Sequence, residues 1–224
     1  MSSATCTTPD LFIIESLSEG NFAEGKVMAD ILNATGKRWC EYLNIRTKIE
    51  LEWAVDRFAK SDHRYLHLSC HGSETSMSTT LQTLSFAELG AILKPVLNER
   101  RLFISACSMV NSKLAEMILP ESGCFSMIGP TKKIGFGDAA LIWASFYHLM
   151  SKRNQKAMKR HDILDVVQTL SSTFRVPMDY YTGTRRDDGS FLYRRVRAKA
   201  QTEQGSDERE VEQRRGVVHS SGRR

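Results

Sequence analysis

At 224 residues the chain is long enough for one domain with a full hydrophobic core, and its 41% apolar content excludes wholesale disorder. No segment approaches the roughly 20 consecutive apolar residues of a membrane span, and the polar first ten residues lack the basic-then-apolar layout of a signal peptide, so a cytoplasmic protein with no membrane contact is expected. The net charge of +5 sits mostly at the end, where residues 194–224 carry nine Lys/Arg against five Asp/Glu; the body is near neutral, and nucleic-acid binding is not expected of the core.

The first segment, residues 11–17 (LFIIESL), reads as a buried strand. Asn21 to Glu24 has the form of a capping box ahead of a helix with Met28, Ile31 and Leu32 on one stripe, and Gly36 suits its end. A second strand is expected over 39–45. Thr47 to Glu50 is another capping box, opening a helix that offers Ile49, Trp53, Val55 and Phe58 as apolar surface. The third strand, 65–70 (YLHLSC), runs into His71 and Gly72 and a Ser/Thr-rich loop over 73–83. Ser85 to Glu88 caps a third helix carrying Phe86, Leu89, Leu93 and Leu97, which Pro95 shortens or kinks.

A fourth strand, 102–106 (LFISA), leads straight into Cys107. A short helix over 113–118, a fifth strand over 124–128 and a helix over 139–150 capped by Asp138 follow. Lys152, Arg153, Lys156, Lys159 and Arg160 read as a solvated basic loop, and 162–174 as a further helix. Tyr180-Tyr181 and residues 191–196 flank Asp187-Asp188-Gly189, a hairpin turn signal. One folded domain over 1–197 and a disordered charged tail over 198–224 are expected. The five cysteines (Cys6, Cys40, Cys70, Cys107, Cys124) are odd in number and irregular in spacing, which points to free thiols.

Strands alternating with helices imply an α/β fold, with a mostly parallel central sheet flanked by helices on both faces. Reactive groups in such sheets sit beyond the carboxyl ends of the strands. Two strands end in chemically capable residues: one in His71-Gly72, the other in Cys107. A thiol at the sheet rim can give its proton to a nearby imidazole and attack as thiolate. Gly72 admits close backbone approach, so its N–H and that of Cys107 can face a developing oxyanion.

YLHLSCHGS (Tyr65 to Ser73) and LFISACS (Leu102 to Ser108) resemble the His and Cys motifs of caspase-like cysteine peptidases, and most of all the bacterial CHAT branch, related to caspases and separases. CFSMIGP (Cys124 to Pro130) is similar to that family's fifth strand, and DAALIWASFY (Asp138 to Tyr147) to the helix after it, so the resemblance covers roughly residues 11–150. It implies a caspase-like sandwich, Cys107 as nucleophile, His71 as base, Gly72 and Cys107 N–H groups as oxyanion hole, a protein substrate and no cofactor. Relatives that accept a basic P1 side chain carry an acidic residue near the Cys motif. Here Ser105-Ala106 stand before Cys107, which leaves P1 open. By analogy Glu15 or Asp138 would line that pocket, against their readings as a rim residue and a helix cap. The resemblance further implies release by a partner or by cleavage. The loop 73–83 or the segment after Pro130 would cover the cleft of a zymogen, the basic run 152–160 would be a self-processing site, and the setting would be antiviral defence.

Three alternatives compete. His67, Cys70, His71, Cys107 and Cys124 could be metal ligands, but no CxxC or HExxH occurs and adjacent Cys70 and His71 point to opposite faces. A nucleotide-binding domain would share the topology, but no G-x-G-x-x-G or Walker motif is present. A catalytically silent caspase-like binding or adaptor module would keep the fold without the reaction.

Overall fold

The computed structural model describes residues 11–18, 20, 22–35, 40–153, 157–185, 187 and 191–196. Nine strands and six α-helices follow in the order β1 (Leu11–Ser16), α1 (Glu24–Ala34), β2 (Cys40–Asn44), α2 (Lys48–Ala59), β3 (Tyr65–Gly72), β4 (Ser76–Ser78), β5 (Thr83–Ser85), α3 (Phe86–Leu93), β6 (Arg101–Ser105), α4 (Ser112–Ile118), β7 (Ser126–Pro130), α5 (Phe136–Arg153), α6 (Arg160–Phe174), β8 (Met178–Arg185) and β9 (Phe191–Val196). The main sheet runs β2-β1-β3-β6-β7-β8-β9. Its first five strands are mutually parallel, and the β8–β9 hairpin closes one side antiparallel.

Both faces of β1, β3, β6 and β7 are largely buried, which is why they read as near-continuous apolar runs, whereas the edge strand β2 is only part-buried. Phe12, Ile14, Leu66, Leu68, Leu102 and Ile104 pack under α2, α3 and α4. Leu11, Ile13, Tyr65, Phe103 and Ile128 pack under α1, α5 and α6. On the second face an aromatic stack of Phe103, Trp143, Phe146 and Tyr147, with centroids 5.2–6.2 Å apart, fixes α5 against β6. Such pairs add about 0.5–1.5 kcal/mol each beyond area burial.

The capping boxes at Thr47–Glu50 and Ser85–Glu88 form as expected, each with both reciprocal bonds. After α3 the chain tightens into a 3-10 turn over Lys94–Val96, because Pro95 cannot supply the next helical N–H.

Several expectations are corrected. Glu24 does not close a capping box; it is the first residue of α1, with Ala23 as an N-cap that makes no side-chain bond, and its side chain turns into the core. Asn21, Gly36 and Trp39 lie outside the described residues, as does the tail over 197–224. On α2, Ile49 and Trp53 are exposed (76% and 50%), and Leu51 and Ala54 are buried beside Val55 and Phe58. The Ser/Thr-rich stretch after Gly72 holds a small hairpin, β4 and β5, on the end of β3. Asp138 does not cap α5, which begins two residues earlier at Phe136. The basic run is not all loop: Lys152 and Arg153 end α5 and Arg160 opens α6, while Arg153 reaches Asp162 (3.8 Å) and Asp165 (2.5 Å).

Candidate active site

β3 and β6 lie side by side in parallel, with Ser69 opposite Ser105 at the last shared position. Two residues further on, each strand releases its reactive residue: His71 from β3, Cys107 from the turn that follows β6. Side chains alternate between faces along a strand, so His71 shares the parity of Ser69 and belongs to the face covered by α1 and α5, while Cys107 stands in the turn just beyond β6. The His71 ring packs edge-on against Phe136, the first residue of α5, at 5.4 Å between centroids. Cys70 and Ala106 face the other layer, within the core under α2–α4. Burial pushes the Cys70 thiol well above its ordinary range, with Glu24 and Cys107 adding to the rise. Cys70 is thus an inert core thiol, whereas Cys107 is part-exposed.

The backbone at the end of β3 has a definite orientation. Ser73 N–H donates to Ser76 C=O (2.9 Å), so the next pair of the β3–β4 ladder, Gly72 opposite Met77, is the one without mutual hydrogen bonds. The hairpin stands beyond the end of β1: Thr80 N–H donates to Ser16 Oγ and Leu81 N–H to Arg46 C=O. Gly72 N–H therefore points away from β1, toward β6 and the Cys107 turn. Arg64 C=O, of the same parity, already serves β6 by accepting from Arg101 N–H (3.0 Å), which agrees.

The Cys107 turn is tight. Ser108 holds φ at 56°, a left-handed value that non-glycine residues seldom adopt. Asn111 secures it three ways. Its Oδ1 accepts from Leu114 N–H (3.1 Å) as the N-cap of α4, and its Nδ2 donates to Ser108 C=O (3.0 Å) and to Glu74 C=O (3.1 Å). One side chain thus ties the turn after Cys107 to the loop after His71. Gly72 is packed from the same side: a Cβ there would lie 2.2 Å from Met109 Cγ and 3.4 Å from Ala106 Cβ.

Beneath the pair lies a buried polar layer that the sequence did not disclose. Glu15 is fully buried; its Oε1 accepts from Gly25 N–H (2.5 Å) and Ser69 Oγ (3.2 Å), and its Oε2 from Tyr42 OH (2.6 Å). Glu24, equally buried, is pushed up to about 8 by desolvation; the facing Ser105 hydroxyl offsets part of the rise without closing a full hydrogen bond, and Glu15 adds to it. His67, pushed down to about 3 by burial, bonds Tyr147 OH through Nδ1 (2.9 Å) and stands 4.0 Å from Glu24 Oε1 through Nε2. Burial thus favours the neutral form of both groups. Asp138 is exposed on the first turn of α5, apart from this layer.

Asn111, Met109 and Phe136 carried no signal beyond helix-start and apolar character, and Glu24 was misleading because its spacing from Asn21 mimics a cap. Among the described residues, no group of three or more His, Cys, Asp or Glu is placed to hold a metal ion, and no helix is long and apolar enough to cross a membrane.

No protein-family model matches the sequence, and no curated protein matches it. Among solved structures, the chain is similar to a secreted C11 cysteine protease from Bacteroides thetaiotaomicron, crystallised with an irreversible peptide inhibitor: TM-score 0.52, 8% identity, 78% of this chain and 66% of that one. It spans just under two thirds of that protease. It is similar to caspase-1 from Spodoptera frugiperda at TM-score 0.50 and 13% identity, over 74% of this chain and 77% of that one. The fold is therefore caspase-like: an α/β sandwich with a mostly parallel sheet between helical layers.

Proposed function

We propose that the protein is a cysteine endopeptidase in which Cys107 is the nucleophile and His71 the general base. The observation that supports this reading is that β3 and β6 are neighbouring parallel strands, with His71 at the end of the first, Cys107 in the turn just beyond the second, and Gly72 N–H turned toward β6. His71 takes the Cys107 thiol proton, and the thiolate forms a C–S bond to the scissile carbonyl carbon. The oxyanion lies between the N–H groups of Gly72 and Cys107, and held dipoles there are worth about 2.7–4 kcal/mol apiece in comparable sites. His71 then gives its proton to the leaving amine as the C–N bond breaks, leaving a thioester. Water, deprotonated by His71, forms the C–O bond, the C–S bond breaks, and the proton returns to sulfur.

The likeness to a peptidase crystallised with a peptide inhibitor supports a protein substrate. Release by a partner or by cleavage belongs to this reading, with the β4–β5 hairpin or the segment after Pro130 as the part that would move, as does a role in defence. The test is active-site labelling with a mixed-P1 library of peptidyl acyloxymethyl ketones on wild type, Cys107→Ala and His71→Ala. Label that needs both residues is the expected result. Wild type that stays unlabelled with a candidate partner present would mean a catalytically silent binding module.

A further inference from the structure

The amino ends of β3 and β6 border a recess of about 250 Å³, lined by Arg64, Tyr65, Glu99, Arg101, Phe125 and Met158. It lies at the opposite pole of the sheet from the strand-end pair: Tyr65 and His71 are six positions apart on β3, roughly 20 Å at about 3.3 Å per residue. Backbone bonds tie its walls together. Arg101 N–H donates to Arg64 C=O (3.0 Å), Phe125 N–H to Arg100 C=O (2.9 Å) and Gly183 N–H to Phe125 C=O (3.1 Å).

This recess has hydrogen-bond donors to spare. Arg101 is half-buried, and its guanidinium donates to Ser126 Oγ (2.7 Å), Tyr180 OH (3.4 Å) and Met158 C=O (3.0 Å). A guanidinium carries five N–H groups, so two remain. Tyr65 OH accepts from Met158 N–H (3.0 Å) and keeps its own proton for another partner. Burial raises the Tyr65 phenol above its ordinary range, while the Met158 N–H and the charges of Arg101 and Arg64 oppose that rise, so both cations act on the same hydroxyl. Among the described residues neither guanidinium forms an ion pair with a carboxylate, Glu99 included. A half-buried cation beside a second cation is costly without an anion to compensate it. Glu99 offsets one of the two charges, which leaves the lining net positive, and the exposed Lys159 and Arg160 follow Met158 in the chain. The remaining wall is aromatic. Phe125 is 52% exposed, with the Arg101 guanidinium over its ring at 5.4 Å from the centroid and the rest of the ring open.

We propose that this recess binds a nucleoside monophosphate, with Arg64, Arg101 and the Tyr65 hydroxyl on the phosphate and the Phe125 ring against the base. A phosphate monoester is a compact anion with three strong acceptor oxygens, which answers a surplus of planar cationic donors. A base supplies the flat face that an exposed aromatic ring stacks on. The volume falls just below the roughly 300 Å³ at which drug-sized cavities begin, so one nucleotide fits and a longer chain does not. No glycine-rich loop is required, because side chains and not backbone amides supply the donors. The site is separate from Cys107 and His71 and does not depend on the peptidase reading.

Titration calorimetry with AMP, adenosine and inorganic phosphate tests the assignment. AMP should bind at least about 10-fold more tightly than either of the others, since it alone engages both halves of the recess. Arg64→Ala removes an exposed side chain and should weaken AMP by about 10-fold or more at an unchanged melting temperature. Phe125→Ala should bring AMP close to the affinity of inorganic phosphate and leave phosphate binding as in wild type. No saturable AMP binding at millimolar concentration would overturn the proposal. So would phosphate or adenosine binding as tightly as AMP, or an AMP affinity that survives both substitutions.

Discussion

The Asn111 amide donates to the backbone carbonyl of Glu74 at 3.1 Å, joining the segment after Cys107 to the segment after His71. The same nitrogen holds Ser108 C=O at 3.0 Å, where the backbone is left-handed. One neutral side chain thus ties the turn after Cys107 to the segment after His71.

Asn111→Asp should separate the two duties of this residue. Aspartate caps a helix as well as asparagine does but turns the bridging donor into an acceptor facing two carbonyls. Cys107 labelling should slow by about 10-fold or more, since small misplacements of reacting groups are costly. Asn111→Ala should lose the cap as well, about 1 kcal/mol in urea unfolding. Labelling of Asn111→Asp at the wild-type rate would show that the bridge does not position the turn.

Gly72→Ala should strike Met109, since the new Cβ falls 2.2 Å from the Cγ of that fully buried side chain. Overpacking of this kind costs about 1–3 kcal/mol. Because the strain lies in one contact, the double substitution Gly72→Ala with Met109→Ala should be more stable than the sum of the singles by about 0.5–3 kcal/mol. An additive cycle in denaturant unfolding would place the cost of Gly72→Ala elsewhere.

Glu24 and His67 give the fold a pH signature. Glu24, at about 8 against 4.5 when free, keeps a proton that the unfolded chain loses across that window, so its stabilisation is complete below pH 4.5 and drains away toward pH 8. His67, at about 3 against 6.5, stays neutral where the unfolded chain is charged, so stability falls as pH drops below 6.5. The two slopes cancel between pH 4.5 and 6.5. Between 6.5 and 8 Glu24 acts alone, and stability should fall by up to about 1.4 kcal/mol per pH unit. Glu24→Gln should flatten that limb in urea titrations; an unchanged slope would mean that another group carries it.

The two faces of α2 should respond oppositely to substitution. Phe58 is fully buried against Phe12 (5.5 Å) and under the Arg100 guanidinium (4.2 Å), so Phe58→Ala should cost about 3–5 kcal/mol. Ile49 is 76% exposed, and Ile49→Lys should stay within about 0.5 kcal/mol of wild type. Comparable losses at both positions would restore Ile49 to the buried stripe expected from its spacing.

Much of this architecture is legible in the order of residues. Apolar runs such as 11–17 and 102–106 read as strands buried on both sides, and Thr47–Glu50 and Ser85–Glu88 mark helix starts because capping is local chemistry. The ends of β3 and β6 advertise His71 and Cys107 because parallel strands release their next residue at a common rim. Spacing failed where burial decides. Ile49 and Trp53 fit a helical stripe, but the helix turned Leu51 and Ala54 inward. Asn21 and Glu24 are spaced as a cap, but the Glu24 carboxyl was taken into the sheet face, and Asp138 is a third helical residue where a cap was expected.

The sequence alone determined the strand–helix alternation and the strand ends that carry His71 and Cys107, because each follows from local pattern and from the rules that connect neighbouring parallel strands. Only the tertiary structure decided the register. Register made neighbours of Asn44, Glu15, Ser69 and Ser105, aimed Gly72 N–H at the Cys107 turn and brought Asn111 to Glu74. Those relations join segments tens of residues apart, and no local propensity encodes them; they exist because two helical layers close on one sheet and fix which polar groups are buried together.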